Sequence, residues 1–173
     1  MKHTARSGFT LIELLIVIAL LGALAVGLLA TIDPFEQLKK GRDTSLRNSV
    51  SEFYNANLRY YSTKAEFPWS TTSLTGDTVN TLGAYVQTLI DTGELKNRFM
   101  QLAGTDNLAK IYVTSTAAPG IKPENVSVCF RPESKSFQVD PATVYDINGG
   151  NSVTNCKAGT AGTGGTDCYF CVQ

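Results

Sequence analysis

The sequence predicts an α+β protein in which a long N-terminal helix packs on a small antiparallel β-sheet head. Three observations lead to this fold class. The apolar stretch 9–30 is long enough for a membrane helix, and apolar residues then recur at helical spacing as far as Tyr61. Short segments with alternating apolar residues follow between positions 110 and 139, a pattern typical of strands. We therefore expect the first part of the helix to span a membrane and the second part to be amphipathic.

The apolar stretch is membrane-spanning by its length. Its 22 residues, 9–30, make a helix of about 33 Å, which matches the hydrocarbon thickness of a bilayer. It holds one charged side chain, Glu13, and no Lys, Arg or His occurs from Phe9 until Lys39. A carboxylate in hydrocarbon is unfavourable unless a cation neutralises it. The sequence therefore predicts that Glu13 finds a partner outside its own helix.

A short basic leader precedes the apolar stretch. Lys2 and Arg6 are its only charges, so the positive-inside rule keeps the leader in the cytoplasm and places the C-terminal part outside. A secretory signal is cut after its apolar core, at small residues. Here the small residue, Gly8, precedes the core, so a cut after Gly8 removes the leader and keeps the helix. Such a cut leaves a free amine on Phe9, four residues before Glu13.

The run Gly8-Phe9-Thr10-Leu11-Ile12-Glu13 resembles the processing site of type IV prepilins and the related pseudopilins. The resemblance implies that a prepilin peptidase cleaves after Gly8, that Phe9 becomes N-methylated, and that Glu13 assists assembly by pairing with the amine of a neighbouring subunit. It also implies a type IV pilin-like fold, identical subunits in a helical filament, and an inner-membrane assembly platform with a motor ATPase. A plain signal anchor whose Glu13 snorkels toward the headgroups is the structural alternative.

Four segments follow from these features: a cleaved leader at 1–8, a transmembrane and filament-core helix at 9–32, an amphipathic helix at 33–64, and a head at 65–173. Asp33 is placed to cap the amphipathic helix and Pro34 to occupy its first position. One face of this helix carries the apolar residues Leu46, Val50, Phe53 and Tyr61. The charged residues expected to be solvated on its other faces are Lys39, Lys40, Arg42, Asp43, Arg47, Glu52 and Arg59.

The head is predicted from weaker, local signals. A Thr-rich loop extends to Thr78, a short amphipathic helix at 82–90 breaks near Gly93, and a second helical stretch runs over 94–102. Strands are expected at 110–116, 126–131 and 135–139. Residues 132–134, Pro-Glu-Ser, are expected to form the hairpin turn between the last two.

Four cysteines, Cys129, Cys156, Cys168 and Cys171, all lie in the C-terminal third, in a compartment where disulfides persist. The last 18 residues, 156–173, are rich in Gly and Thr and too poor in apolar residues to form a core, so we expect cross-links to hold them. Two disulfides can be drawn in three ways. We favour Cys156 with Cys168, which closes the Gly-rich loop, and Cys129 with Cys171, which ties the tail to a strand.

Other interpretations of this region remain open. Cys168 and Cys171 form the C-x-x-C pattern of thiol oxidoreductases, but such sites begin a helix next to a βαβ unit. Four thiolates also suit zinc, although only one close pair is present where two are expected. Asp146 and Asn148 offer oxygen ligands near glycines, and some pseudopilins bind calcium in a C-terminal loop. The full spacing of a calcium loop is missing, however, and a plain Asx turn is the simpler interpretation.

Composition points away from two classes of function. The chain has 15 Lys and Arg against 15 Asp and Glu, and removal of Lys2 and Arg6 leaves 13 against 15, a net charge of −2, which gives no strong nucleic-acid signal. No nucleophile, base and orienting residue form a recognisable set, and the single histidine, His3, lies in the leader. We therefore expect no enzyme, and no cofactor apart from calcium near Asp146.

The predicted function is that of a structural subunit of a type IV pilus-like filament. We expect it first in the cytoplasmic membrane, as a single-pass protein with its C-terminus outside, and later in an extracellular filament at the cell surface. A pseudopilin of a type II secretion or DNA-uptake machine is the alternative. A membrane-anchored thiol oxidoreductase is the third interpretation.

Overall fold

The computed structural model describes residues 8–31, 33–152, 156 and 167–173. It divides into two compact units, with the boundary between Gln37 and Leu38. The elements in chain order are α1 (Leu11–Thr31), α2 (Pro34–Lys64), β1 (Leu74–Thr78), α3 (Gly83–Asp91), α4 (Phe99–Ala103), α5 (Thr105–Leu108), β2 (Ile111–Ser115), β3 (Ser127–Phe130), α6 (Lys135–Gln138) and β4 (Phe170–Val172). A long apolar helix, a second helix and a small antiparallel sheet confirm the predicted α+β class.

The four strands form one antiparallel sheet in the order β1-β2-β3-β4. Each strand pairs with the next one along the chain, so Ile111 lies opposite Phe130 and Cys129 opposite Cys171. All four residues of β3 are buried. The strands expected at 110–116 and 126–131 are confirmed as β2 and β3.

The start of α2 follows the predicted capping chemistry. Asp33 Oδ1 accepts hydrogen bonds from the backbone amides of Phe35 at 3.1 Å and Glu36 at 3.3 Å. Pro34 is the first helical residue, where its missing N–H leaves no bond unmade. The side chain of Asp33 thus satisfies two of the amides that a helix start leaves without a partner.

One stripe of apolar residues along α2 forms part of the head's core. Leu46, Val50 and Phe53, three of the four residues predicted for this face, are fully buried, and Tyr61 packs against the same cluster from a partly buried position. Burial of each such aliphatic or aromatic side chain stabilises the fold by about 1.5–3 kcal/mol. The stripe meets side chains of α3 and of β2 and β3, which include Val86, Leu89, Ile111, Val113 and Val128.

The helix predicted at 82–90 is confirmed as α3, and it ends where Gly93 was expected to break it. Gly93 has φ of +80°, and the amide of Glu94 donates to the carbonyl of Leu89 at 2.9 Å. A glycine in the left-handed conformation that closes a helix in this way is a common C-terminal motif. The second helical stretch is shorter than predicted, because α4 begins only at Phe99.

The strand predicted at 135–139 is wrong, because these residues form the short helix α6. The amide of Gln138 donates to the carbonyl of Ser134 at 3.0 Å, so Ser134 starts a helix where a hairpin turn was expected. The edge of β3 is already occupied by β4, which pairs Phe170 with Phe130. Two alternating residues, Phe137 and Val139, were too short a pattern to identify a strand.

Two strands were missed by sequence reasoning. Residues 74–78 were expected to belong to a Thr-rich loop, but they form the edge strand β1, with a bulge between Leu74 and Asp77. The tail was expected to lack a core, yet Phe170 of β4 is buried with its ring centroid 5.5 Å from that of Phe130. Each of these strands is short and contributes one residue to the main core, Leu74 or Phe170, so neither shows a clear apolar periodicity.

Asp43 is buried, contrary to the expectation that it would be solvated. Its carboxylate accepts three hydrogen bonds: from the amide of Glu133 at 3.0 Å, from the amide of Ser134 at 2.8 Å, and from the hydroxyl of Ser134 at 2.6 Å. These bonds fasten the turn between β3 and α6 to α2. A buried carboxylate is tolerated when several donors surround it in this way.

We expect Asp43→Asn to lower the free energy of unfolding of the head by about 3 kcal/mol, since the amide group cannot accept all three bonds and leaves buried donors unsatisfied. Urea unfolding of the full chain in detergent, followed by the emission of the buried Trp69, measures the change. Glu52→Gln is the control on the same helix, because Glu52 forms only a surface ion pair with Lys96 at 3.8 Å. Equal stability of the Asp43→Asn and Glu52→Gln proteins would contradict the role of these bonds.

Candidate functional site

The N-terminal segment places its key residues at the very start of α1. Helix α1 begins at Leu11, so Gly8, Phe9 and Thr10 precede it, and the side chain of Phe9 is 86% exposed. Glu13 lies in the first helical turn. Among the residues that the structure describes, none lies within 4 Å of the place that a side chain at Gly8 would occupy. The predicted cleavage position is therefore outside the helix and sterically open.

Thr10 and Glu13 form a reciprocal capping box at this helix start. The amide and the hydroxyl of Thr10 both donate to Glu13 Oε2 at 2.8 Å, and the amide of Glu13 donates back to Thr10 Oγ1 at 3.3 Å. Sequence reasoning missed this pair, although the pattern Thr-x-x-Glu ahead of an apolar run is its signature. Glu13 thus has a local function within one subunit, in addition to the predicted pairing between subunits.

The capping box stabilises the carboxylate without neutralising it. Hydrogen bonds from Thr10 and the positive end of the helix dipole both favour a negative charge at this place. They supply no positive charge of their own, and the sequence contains no Lys, Arg or His from Phe9 until Lys39. An ammonium group at Phe9, created by a cut after Gly8, would be the cation nearest to Glu13 in the sequence.

Helix α1 is long and apolar enough to cross a membrane over Leu11–Leu29, judged by length and composition. Its large apolar side chains are exposed along this range. A surface of this kind is unfavourable in water and requires either lipid or other apolar helices around it. The prediction of a membrane helix agrees with this exposure.

The disulfides join the two pairs that the sequence favoured. Cys129 of β3 bonds to Cys171 of β4, directly opposite it in the register, and Cys156 bonds to Cys168. All four cysteines of the chain lie among the described residues, and none of them is free. The first bridge fastens the C-terminal strand to the sheet, while the second closes the segment between its two cysteines.

These bridges bear on the other interpretations of the cysteines. Cys168 and Cys171 are bonded to different partners, and Cys171 lies in a strand, whereas a C-x-x-C redox site forms its disulfide within the motif at a helix start. With all four sulfurs in disulfides, no thiolate is left to bind zinc. Within the described residues, His, Cys, Asp and Glu do not gather into a group of three suited to a metal ion.

Asp146 forms the Asx turn that was the simpler interpretation of its segment. Its Oδ1 accepts from the amides of Asn148 and Gly150, both at 2.8 Å, and its own amide donates to the carbonyl of Gly150 at 2.9 Å. Calcium binding at Asp146 and Asn148 stays a prediction.

The fold and the N-terminal site together define a class of protein. An apolar N-terminal helix, a second helix and a small sheet make a pilin-like layout. Residues 3–29 match the family model described as the prokaryotic N-terminal methylation motif. This motif is the N-terminal signal of prepilins and pseudopilins, so the chain carries the N-terminus of a type IV pilin- or pseudopilin-type precursor.

The match covers the N-terminal signal and not the head. Comparison of the chain with curated proteins and with solved structures found no match. The motif implies processing by a prepilin peptidase and assembly into filaments, and its family is structural and generally non-enzymatic. Membrane anchoring followed by filament assembly fits both the motif and the exposed apolar helix.

Gly8→Val should leave the precursor uncut, because a branched side chain would keep the peptidase from the carbonyl of Gly8. The open surroundings of Gly8 mean that the substitution should not disturb the subunit itself. Intact-mass analysis of the membrane-extracted protein gives the answer, with Gly22→Ala, a change at an equally open glycine inside α1, as the control. A mass that corresponds to a chain starting at Phe9 in the Gly8→Val protein would refute the expectation.

The two disulfides should differ in their effect on stability. In the chain-entropy model, removal of Cys129–Cys171, with a sequence separation of 42, costs about 4 kcal/mol, whereas removal of Cys156–Cys168, with a separation of 12, costs about 3 kcal/mol. Paired Cys→Ser variants, unfolded in urea with Trp69 as the probe, test this order. Non-reducing peptide mapping of the unmodified protein is the companion measurement. Any pairing of the four cysteines other than Cys129–Cys171 and Cys156–Cys168 would contradict the disulfides described here.

Proposed function

We propose that the chain is a structural subunit, a pilin, of a type IV pilus-like filament, matured by a prepilin peptidase after Gly8 and assembled through α1. The observation that carries the proposal is the methylation motif at residues 3–29 on a helix whose apolar side chains are exposed. N-methylation of Phe9 and a passage from the cytoplasmic membrane to an extracellular filament belong to the same proposal. An assembly platform and a motor ATPase would extract the subunit.

The exposed surface of α1 supports a change of partner during assembly. A helix that is apolar on all sides is stable in lipid, and it is equally stable when identical helices surround it. The same surface therefore serves the subunit before and after assembly. Because lipid and packed helices are both apolar, hydrophobic burial alone gives little preference for the filament. A polar interaction is needed to direct the helix from one environment to the other.

Glu13 supplies that polar interaction in our proposal. In the lone subunit its carboxylate is hydrogen-bonded by Thr10 but not neutralised. The ammonium group of Phe9 in a neighbouring subunit would neutralise it, and opposite charges attract strongly in a medium of low dielectric constant. Assembly would then be favoured by the pairing of two charges that are each unfavourable alone in lipid.

A pseudopilin of a type II secretion or DNA-uptake machine would carry the same N-terminal motif. Imaging of cells with an antibody to the head distinguishes the two functions. Labelled surface filaments that disappear in a deletion strain and return on complementation support the pilin. Loss of protein export or of DNA uptake in the deletion strain, with filaments intact, would instead assign the chain to such a machine.

Glu13→Leu should be inserted and cleaved but should not assemble, because the neighbour's ammonium group is left without its partner. Glu13→Gln separates the two functions of the residue, since glutamine also completes a capping box but carries no charge. We expect Glu13→Gln to fail in assembly as well. Filament yield is measured as sheared subunit against the membrane-retained pool, with leader cleavage checked by mass.

Each outcome of this pair of variants is informative. Normal assembly of the Glu13→Gln protein with failure of Glu13→Leu would show that the cap, and not the charge, is what assembly requires. Normal assembly of both variants would leave Glu13 as a tolerated snorkelling residue. Thr10→Val, which keeps the charge and removes the reciprocal cap, is the complementary control.

A further inference from the structure

A basic cleft lies in the head beside the first turns of α2. It has a volume of about 410 Å³ and is lined by Lys39, Lys110, Tyr112, Arg131, Pro132, Glu133 and Gln138. The lining thus combines three cations from different parts of the chain, Lys39, Lys110 and Arg131, with one carboxylate, that of Glu133. The cleft belongs entirely to the second unit, since it includes no residue before Lys39.

Ion pairs hold two of the three cations of the cleft, Lys110 and Arg131, in place. Glu133 contacts Lys110 at 2.6 Å and Arg42 at 2.9 Å, and Arg131 contacts Asp167 at 2.9 Å. Lys110, followed by Arg42, holds the pKa of Glu133 below its usual value although burial acts in the opposite direction, so its charge is already matched by two cations. The side chains of Lys110 and Arg131 remain about half exposed, at 46% and 57% respectively. These two cations are therefore held in position and still accessible to an anion.

The segment after the apolar span is rich in cations. Four of them, Lys39, Lys40, Arg42 and Arg47, follow Leu29, the last residue of the span, within 18 residues, and of these Lys39 lines the cleft. Lys39 lies ten residues after the span, in the juxtamembrane range where cations attract anionic lipid headgroups.

The chemistry of the cleft suits one phosphate group. A nucleic acid engages a stripe of many cations along its backbone, whereas this cleft offers three, with a carboxylate among them. A single phosphodiester matches a site whose lining contains the three cations Lys39, Lys110 and Arg131. Tyr112 adds a hydroxyl and an aromatic ring, and tyrosine is enriched at the level of lipid headgroups.

We propose that this cleft binds the headgroup of an anionic phospholipid while the subunit waits in the membrane, through Lys39, Lys110 and Arg131. The inference rests on the proposed function in one respect, that residues after the span are exported and face the outer surface of the bilayer. Binding keeps the cleft at the membrane surface before assembly. Assembly then exchanges the headgroup for other subunits.

The test uses the full chain in a mild detergent with equal amounts of phosphatidylglycerol and phosphatidylcholine, and native mass spectrometry of the lipids that remain bound. We expect the unmodified protein to retain phosphatidylglycerol in preference. Lys39→Gln/Lys110→Gln should lower that retention by about fivefold for each cation removed. Trp69 emission and intact disulfides establish that the variant is folded.

Lys96→Gln/Lys122→Gln is the matched control. Lys122 pairs with Glu66 at 2.8 Å with side-chain exposures of 53% and 32%, close to the values of 46% and 32% for Lys110 and Glu133. The control therefore also removes two surface cations away from the cleft. It breaks the Lys122–Glu66 pair, which is equivalent to Lys110–Glu133, and the longer Lys96–Glu52 pair at 3.8 Å. Equal retention of both lipids by the unmodified protein, or the same loss in the control, would overturn the proposal.

A duplex DNA of 12 base pairs is added as a competitor in the same measurement. Displacement of phosphatidylglycerol by stoichiometric DNA would assign the cleft to nucleic acid and overturn the lipid site. Leader cleavage and filament yield of the cleft variant are measured separately. Filaments formed without lipid preference would reject the cleft alone, whereas lipid preference without filaments in any strain would reject the pilin function alone.

Discussion

The buried stripe of α2 is the interaction on which the head depends. Leu46, Val50 and Phe53 are fully buried in the same core cluster as side chains of α3 and of the sheet, and their burial joins the helix to the rest of the head. A helix as polar as α2 on its other faces would gain little from propensity alone. The sheet, in turn, has only short strands, so it needs the helix to cover one of its faces.

Two sets of interactions attach parts of the chain that are poor in apolar residues to this core. The first is Asp43, whose buried carboxylate binds the turn that leads into α6. The second is the bridge between Cys129 and Cys171, with Arg47 stacked over the ring of Phe170 at 4.5 Å from its centroid. Hydrogen bonds to a charge, a covalent bond and a cation–π contact replace the hydrophobic area that the C-terminal segment lacks.

The N-terminal helix α1 differs from α2, because its apolar surface is exposed rather than buried. Its single charged residue, Glu13, carries the polar interactions of the segment. Glu13 has two chemical functions in one side chain: it accepts hydrogen bonds from Thr10 and it carries a negative charge. The first function is complete within one subunit. The second is complete only when a cation pairs with the carboxylate. In our proposal, this difference favours transfer of the apolar helix from lipid to a filament, which hydrophobicity alone would not do.

The sequence by itself determined the class of the N-terminus, the span and the amphipathic helix, because each of these is a local pattern: a motif around Gly8 and Glu13, a continuous apolar run, and a 3.6-residue period. It also indicated two strands with clear alternation and a disulfide pairing that the structure reproduces. Only the tertiary structure decided the burial of Asp43, the helix at 135–138, the edge strands β1 and β4, and the meeting of Lys39, Lys110 and Arg131 in one cleft. These features depend on tertiary contacts between residues that lie some 20 to 90 positions apart in the sequence. Such contacts override local propensity and leave no periodic pattern in the sequence.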